Sequence, residues 1–166
     1  QMNARFDDAK GVVTRYAALV YGVPAPPAGV IDVPLHGARK GKSRPARPDE
    51  PGARDASTTY AVRHTWRHGD HAIAAASATP RTGRHKQIRV HLRSIGTPVL
   101  GDALYGRAAV SALTGVPVPR LALHVEAIDV PHPSGGRRVE AAAPWPADLA
   151  ALTSWLDAHW TPEAGA

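Results

Sequence analysis

Apolar and polar residues alternate along much of this chain, and the repeat lengthens to a helical period in two places. Residues 15–22, RYAALVYG, form an apolar run with aromatic rings near both ends. Gly22 and the proline group Pro24, Pro26 and Pro27 close it, which predicts a strand. Residues 30–33 predict a short second strand ending at Pro34. Residues 58–66 alternate, with Tyr60, Val62, His64 and Trp66 on one face and Thr59, Ala61, Arg63 and Thr65 on the other. His68-Gly69-Asp70 reads as a turn, and residues 72–79 return as the hairpin partner. Residues 121–130 and 138–142 predict two more strands around the turn His132-Pro133-Ser134-Gly135-Gly136.

The period changes at residues 87–95 and 146–160. In the first, Ile88, Leu92 and Ile95 fall at i, i+4 and i+7 and predict a core-facing stripe. Lys86, Arg89 and Arg93 fall at i, i+3 and i+7 on another face and predict one cationic stripe. In the second, Leu149, Leu152, Leu156 and Trp160 recur at helical spacing, Trp155 borders them, and Pro146 suits a first helical position. The sum predicts an α+β protein in one domain, a mixed and mostly antiparallel sheet with flanking helices. Residues 36–57, rich in Gly, Pro, Ser, Arg and Lys, contain little to bury and read as a flexible basic surface loop.

Composition removes several function classes. With 166 residues and 43 % apolar content the chain is large enough to bury a core, and a single Phe and single Met make that core aliphatic. The absence of Cys excludes a disulfide scaffold, thiolate metal sites and a cysteine nucleophile, and fits a reducing cytoplasm. No apolar run approaches the roughly 18 residues of a membrane span. The net charge of +6 is uneven. Arg81, Arg84, Lys86, Arg89 and Arg93 crowd residues 81–93 with no acid among them, and residues 36–54 hold six more basic groups against Asp49 and Glu50. Such local fields attract a phosphate backbone.

That first helix starts inside the basic loop Gly83-Arg84-His85-Lys86, where its free N–H groups and dipole favour an anion. Lys and Arg beside them can clamp a nucleic-acid backbone or fix a buried carboxylate through a forked pair. Other motifs carry less. Gly37-Ala38-Arg39-Lys40-Gly41-Lys42-Ser43 has three residues between its glycines where a phosphate-binding P-loop needs four. His64, His68 and His71 lie close together without a matching acid or Cys cluster, so no metal is expected. No Gly-x-Ser-x-Gly elbow is present.

Gly83-Arg84-His85-Lys86-Gln87-Ile88-Arg89-Val90-His91-Leu92, then Gly96-Thr97-Pro98, then Gly101-Asp102-Ala103-Leu104-Tyr105-Gly106, resembles the last signature motif of the RluA-type pseudouridine synthases. His85 and Lys86 stand where that motif has Thr-His. Companion segments follow in the family's order. The run from Arg15-Tyr16 to Val20 resembles its Lys-x-Tyr-x-Ala-x-Val strand, and Ala56-x-Thr58-x-Tyr60 its Ala-x-Thr-x-Tyr strand. Leu121-Ala122-Leu123-His124 resembles its Leu-x-Leu-His strand, and Ala143-Pro144-Trp145-Pro146 precedes the last helix. The resemblance covers about residues 6–157. It implies the pseudouridine synthase catalytic fold, incomplete at the N-terminus, and isomerisation of a flipped-out uridine in RNA without cofactor or metal. It implies Tyr16 as the residue that stacks on the base and moves a proton, Arg89 as the partner of the catalytic Asp, and Ile88 as a wall of the base pocket. Gln87, Arg84, His85, Lys86 and Arg93 are the expected substrate contacts.

The family's nucleophilic Asp sits in a His-Arg-Leu-Asp motif, and no such sequence occurs here. The chain is therefore expected to be the C-terminal part of a catalytic domain, inactive alone, with Arg89 deprived of its carboxylate. Asp102 is read as part of a structural turn. The alternative is a non-catalytic RNA-binding relative. RNA is the expected partner, ribosomal rather than transfer RNA, with a monomeric chain and no membrane.

Overall fold

The computed structural model describes residues 11–38, 41–107 and 113–164. Nine strands form one large sheet and one small one. In chain order they are β1 (Val13–Tyr21), β2 (Ala28–Asp32), β3 (Leu35–Ala38), β4 (Lys42–Pro45), β5 (Ser57–His68), β6 (His71–Pro80), β7 (Leu123–Pro131), β8 (Arg138–Ala142) and β9 (Thr161–Ala164). The helices are α1 (Gln87–Ser94) and α2 (Ala147–His159). The large sheet runs β2-β5-β6-β1-β7-β8, with β9 beside β5, and every pairing is antiparallel. This is the predicted α+β arrangement.

The centre of the sheet is built from residues that suit it. β1 buries Ala17, Ala18, Leu19 and Val20 on consecutive positions, as a strand covered on both faces does. β6 supplies the small residues Ala74, Ala76 and Ala78 opposite, all buried at the centre of the sheet. Leu149, Leu152 and Leu156 of α2 are fully buried against it. Asp157 accepts a hydrogen bond from Nε1 of Trp66 at 2.7 Å, tying α2 to β5 and satisfying the polar end of a buried indole. Pro146 occupies the position just before the helix rather than its first turn.

Two expectations change. The alternation read across β5 is broken by a register shift between Val62 and His64, after which Thr65 and Trp66 are both buried. Residues 36–57, expected to be a loop with little to bury, contain strand β4 and most of β3, joined as a hairpin. Ser43 and Ala56 are buried there, and Leu35, Ala56 and Val90 form a second small core with Tyr105 against it. The partners that bury this hairpin come from α1 and from Tyr105, far along the chain. Arg39 and Lys40 of the P-loop-like run lie outside the described residues.

Helix α1 is consequently held on two sides. Ile88 and Leu92 enter the main core, and Val90 enters the hairpin's core. Its N-cap residue, Lys86, has left-handed backbone geometry with φ 58° and offers no side-chain cap. Its last turn is closed by Gly96 at φ 81° and by the Thr97 hydroxyl, which donates to the Leu92 carbonyl. No helix among the described residues is long and apolar enough to cross a membrane.

Candidate active site

A cleft of about 180 Å³ opens where β1 begins, β6 ends and α1 starts. Thr14 and Tyr16 line it from β1, Leu123 from β7, Thr82 to Arg84 from the preceding loop, and Lys86 to Arg89 from the helix. Its volume is below the usual range for drug-sized ligands and suits one small ring. Of the residues predicted from sequence, Tyr16, Arg84, Lys86, Gln87, Ile88 and Arg89 border this cleft, whereas His85 and Arg93 do not.

Arg89 and Asp102 form the electrostatic centre of the wall. Nε and one Nη of Arg89 each donate to a different oxygen of Asp102, both at 2.7 Å. The Asp102 side chain is 0 % exposed and that of Arg89 is 18 % exposed. One Asp102 oxygen also accepts the backbone N–H groups of Leu104 and Tyr105, at 2.9 and 3.0 Å. Burial alone would raise the Asp102 carboxyl. The Arg89 fork and the two N–H groups outweigh burial and hold it below the ordinary carboxylate range. Arg89 therefore does not lack a carboxylate partner, contrary to the expectation from sequence. Asp102 has the turn geometry assigned to it and in addition meets the guanidinium. The preceding Gly101 is required by close approach: it has φ 71°, and a Cβ there would collide with the Arg120 carbonyl.

The predicted cationic stripe is dispersed rather than continuous. Arg89 is spent on Asp102, and its guanidinium lies 5.2 Å from the centre of the Tyr105 ring. Lys86 reaches back so that Nζ donates to the Gly41 carbonyl at 2.6 Å. Nε of Arg84 donates to the Asp55 carbonyl. Tyr105, not singled out from sequence, brackets the hairpin. Its hydroxyl accepts from the Ser43 N–H at 2.9 Å and donates to the Ser43 carbonyl at 3.1 Å. The Ser43 hydroxyl in turn donates to the His85 carbonyl.

Gln87 borders the cleft, but its amide points into a saturated network. Oε1 accepts from the Thr82 hydroxyl and the Arg84 N–H, at 2.8 and 2.9 Å. Nε2 donates to the Ser57 carbonyl at 2.9 Å and the Thr58 hydroxyl at 3.0 Å. With the Thr58 oxygen accepting there, its proton goes to Nδ1 of His91 at 2.9 Å. Nε2–H of His91 donates to the Val33 carbonyl at 3.0 Å. Every direction is then determined, and His91 is neutral. Burial accordingly holds its pKa below the ordinary histidine value, against the opposing pull of the Val33 carbonyl and Asp32.

Tyr16 has the contrary setting. Its half-buried ring faces the cleft, and burial raises the pKa of its phenol. Counting back from Tyr16, the Lys position of the Lys-x-Tyr pattern falls on Thr14. Arg15 turns to the opposite face and pairs with Glu126 at 3.2 Å.

No family model matches the sequence. The chain is 35 % identical over 158 residues to a ribosomal large subunit pseudouridine synthase D from Xanthomonas campestris, an alignment covering 89 % of this chain and 45 % of that protein. It is 33 % identical over 130 residues to the dual-specificity RNA pseudouridine synthase RluA of Escherichia coli, covering 78 % and 56 %. In structure it matches the human RNA pseudouridylate synthase domain-containing protein 1, with a TM-score of 0.72 over 99 % of this chain and 63 % of that one, at 23 % identity. The fold is that of a pseudouridylate synthase domain, and over most of its length the chain is homologous to RNA pseudouridine synthases, RluA and the large-subunit synthase D among them. It spans about half the length of the curated relatives it matches.

Proposed function

We propose that this chain forms the part of an RNA pseudouridine synthase that holds the target base, and that the reaction is isomerisation of uridine to pseudouridine. The carrying observation is the convergence of Tyr16, Ile88 and Arg89 on one small cleft at the start of a helix. Ribosomal RNA is the favoured substrate, because a similar relative is named for the large ribosomal subunit. In this reading Ile88 forms an apolar wall for the ring. Tyr16, whose phenol pKa burial raises above its ordinary value, stacks on the base and moves a proton. Arg89, already oriented by Asp102, presents its remaining N–H groups to a second carboxylate, the nucleophile. The sequence contains no His-Arg-Leu-Asp motif, so that nucleophile comes from outside these 166 residues. Asp102 is a poor nucleophile itself, being fully buried and engaged on both oxygens.

The test is tritium release from ribosomal RNA transcripts carrying uridine tritiated at C5. The 166-residue chain is expected to release none, and a longer chain that supplies a His-Arg-Leu-Asp segment is expected to turn over. Single turnover by the 166-residue chain would overturn the reading. A non-catalytic RNA binder is the second reading, favoured by the fact that Asp102 already occupies the Arg89 fork. Arg89→Ala separates them. In the longer enzyme it abolishes turnover and leaves most RNA binding. In a pure binder it lowers the slope of log affinity against log salt by about one, the loss of one phosphate contact.

A further inference from the structure

Thr14 is a cleft residue that the periodicity does not single out, and it stands where the family pattern has Lys. It is 8 % exposed, and polar side chains buried to that degree normally have a hydrogen-bond partner. Its hydroxyl has none among the described residues. It is not sealed in either: the one fully enclosed unpaired side-chain polar atom among the described residues is Nε2 of His64. The Thr14 hydroxyl therefore opens onto the cleft that the residue lines. Tyr16 stands two residues further along β1, so both side chains leave the same face of the strand. The strand holds both residues in the sheet: Thr14 pairs with Ile128 of β7, and Tyr16 pairs with β7 and with Ala78 of β6. A hydroxyl on a sheet strand, almost buried and without a partner among the described residues, is a preformed donor for a ligand.

We infer that the Thr14 hydroxyl binds a ring carbonyl of the target uracil. This rests on the reading of the cleft as a uridine site. The isomerisation breaks the bond from C1′ to N1 and forms one from C1′ to C5. The C5 proton is lost and N1 gains one. Between those events the ring turns over about the axis through N3 and C6, which exchanges N1 with C5 and O2 with O4. A single donor beside one edge of the ring thus meets one carbonyl before the turn and the other after it. Thr14 holds substrate and product alike and gives the detached ring a bond in either orientation. Its hydrogen bond also favours the negative charge the ring carries while detached.

The probes are uridine 5′-monophosphate and pseudouridine 5′-monophosphate, titrated into the 166-residue chain and read from amide shifts of β1 and α1. Thr14→Val keeps the shape and removes the hydroxyl, and is expected to weaken both nucleotides by roughly tenfold, the loss of one hydrogen bond. Thr14→Ser keeps a hydroxyl and is expected to stay within about threefold of the native chain. Thr14→Ala replaces the Val variant should that one not fold. Unchanged affinity in a folded Val or Ala variant overturns the inference and leaves the uridine cleft standing. A native chain that binds neither nucleotide overturns the cleft reading itself, and the role of Thr14 with it. Loss of one nucleotide but not the other also overturns the inference, since it excludes a donor shared by both ring orientations.

Discussion

The two polar groupings on either side of α1 are built on opposite terms. Toward β5, Gln87, Thr58, Thr82 and His91 form a neutral network in which each donor finds an acceptor. Toward the cleft, Arg89 and Asp102 form a charged pair at a partly open wall, beside the Thr14 and Tyr16 hydroxyls, which meet no partner among the described residues. Saturated networks specify a fold, while unsatisfied groups beside a cavity are available to a ligand. The same eight-residue helix supplies both, one through Gln87 and His91 and the other through Arg89.

The largest effect is expected at the charged pair. Asp102→Ala leaves the Arg89 guanidinium partly buried without its partner and should cost about 3 kcal/mol. For a chain of this length that lowers the thermal midpoint by roughly 6–12 °C in calorimetry. A midpoint within a degree or two of the native one would show the pair to be dispensable to the fold. Next comes the neutral network. Gln87→Leu strands the Arg84 N–H and the Thr82 hydroxyl proton and removes one donor each from the Ser57 carbonyl and the Thr58 hydroxyl, which keep their bonds to the Arg81 N–H and to His91. It should cost about 2 kcal/mol in urea unfolding. A loss well under half of that would mean that water replaces the amide without penalty.

The third effect separates the groupings by pH. His91 has a depressed folded pKa, so the unfolded chain takes up a proton that the folded chain resists. Its contribution is fully present above the unfolded value of about 6.5 and is lost as pH falls through the folded value. Asp102 is also depressed, and its contribution declines only below the unfolded value of about 3.9. Urea midpoints between pH 7.5 and pH 5 should therefore fall in the native chain and flatten in His91→Asn, with the decline below pH 4 retained. A native midpoint constant down to pH 5 would contradict the neutral, buried histidine. The smallest effect is expected at an exposed pair. Arg138→Ala, on the solvated strand β8, removes the 2.7 Å contact with Asp129 of β7 and should cost less than about 1 kcal/mol.

Much of this was legible in the residues themselves. The spacing of Ile88 and Leu92, and of Leu149, Leu152 and Leu156, locates both helices, because one face of each meets an aliphatic core. The strands at β1, β5, β6, β7 and β8 follow from their own patterns. What escaped depended on distant partners. Ser43 looks like a loop serine until Tyr105, 62 residues later, closes on its backbone. Arg89 and Asp102 were each noted, but their meeting depends on the turn through Gly101, a conformation that spacing does not reveal. Thr14 was hidden because an unpaired hydroxyl is a property of surroundings. The family resemblance located Tyr16, Ile88 and Arg89, and physical reading alone would have left Tyr16 as a packed strand tyrosine.

Lys86 has one more consequence. Among the described residues it is the one non-glycine with positive φ, a backbone state that costs of order 1 kcal/mol, and it stands at the first turn of α1 where no side chain caps the helix. Its ammonium meanwhile grips the carbonyl of Gly41 at the base of the β3–β4 turn. The start of the helix is thus moored to the hairpin as a boat is to a jetty. A load applied at the hairpin's turn is carried through one lysine to the wall of the cleft.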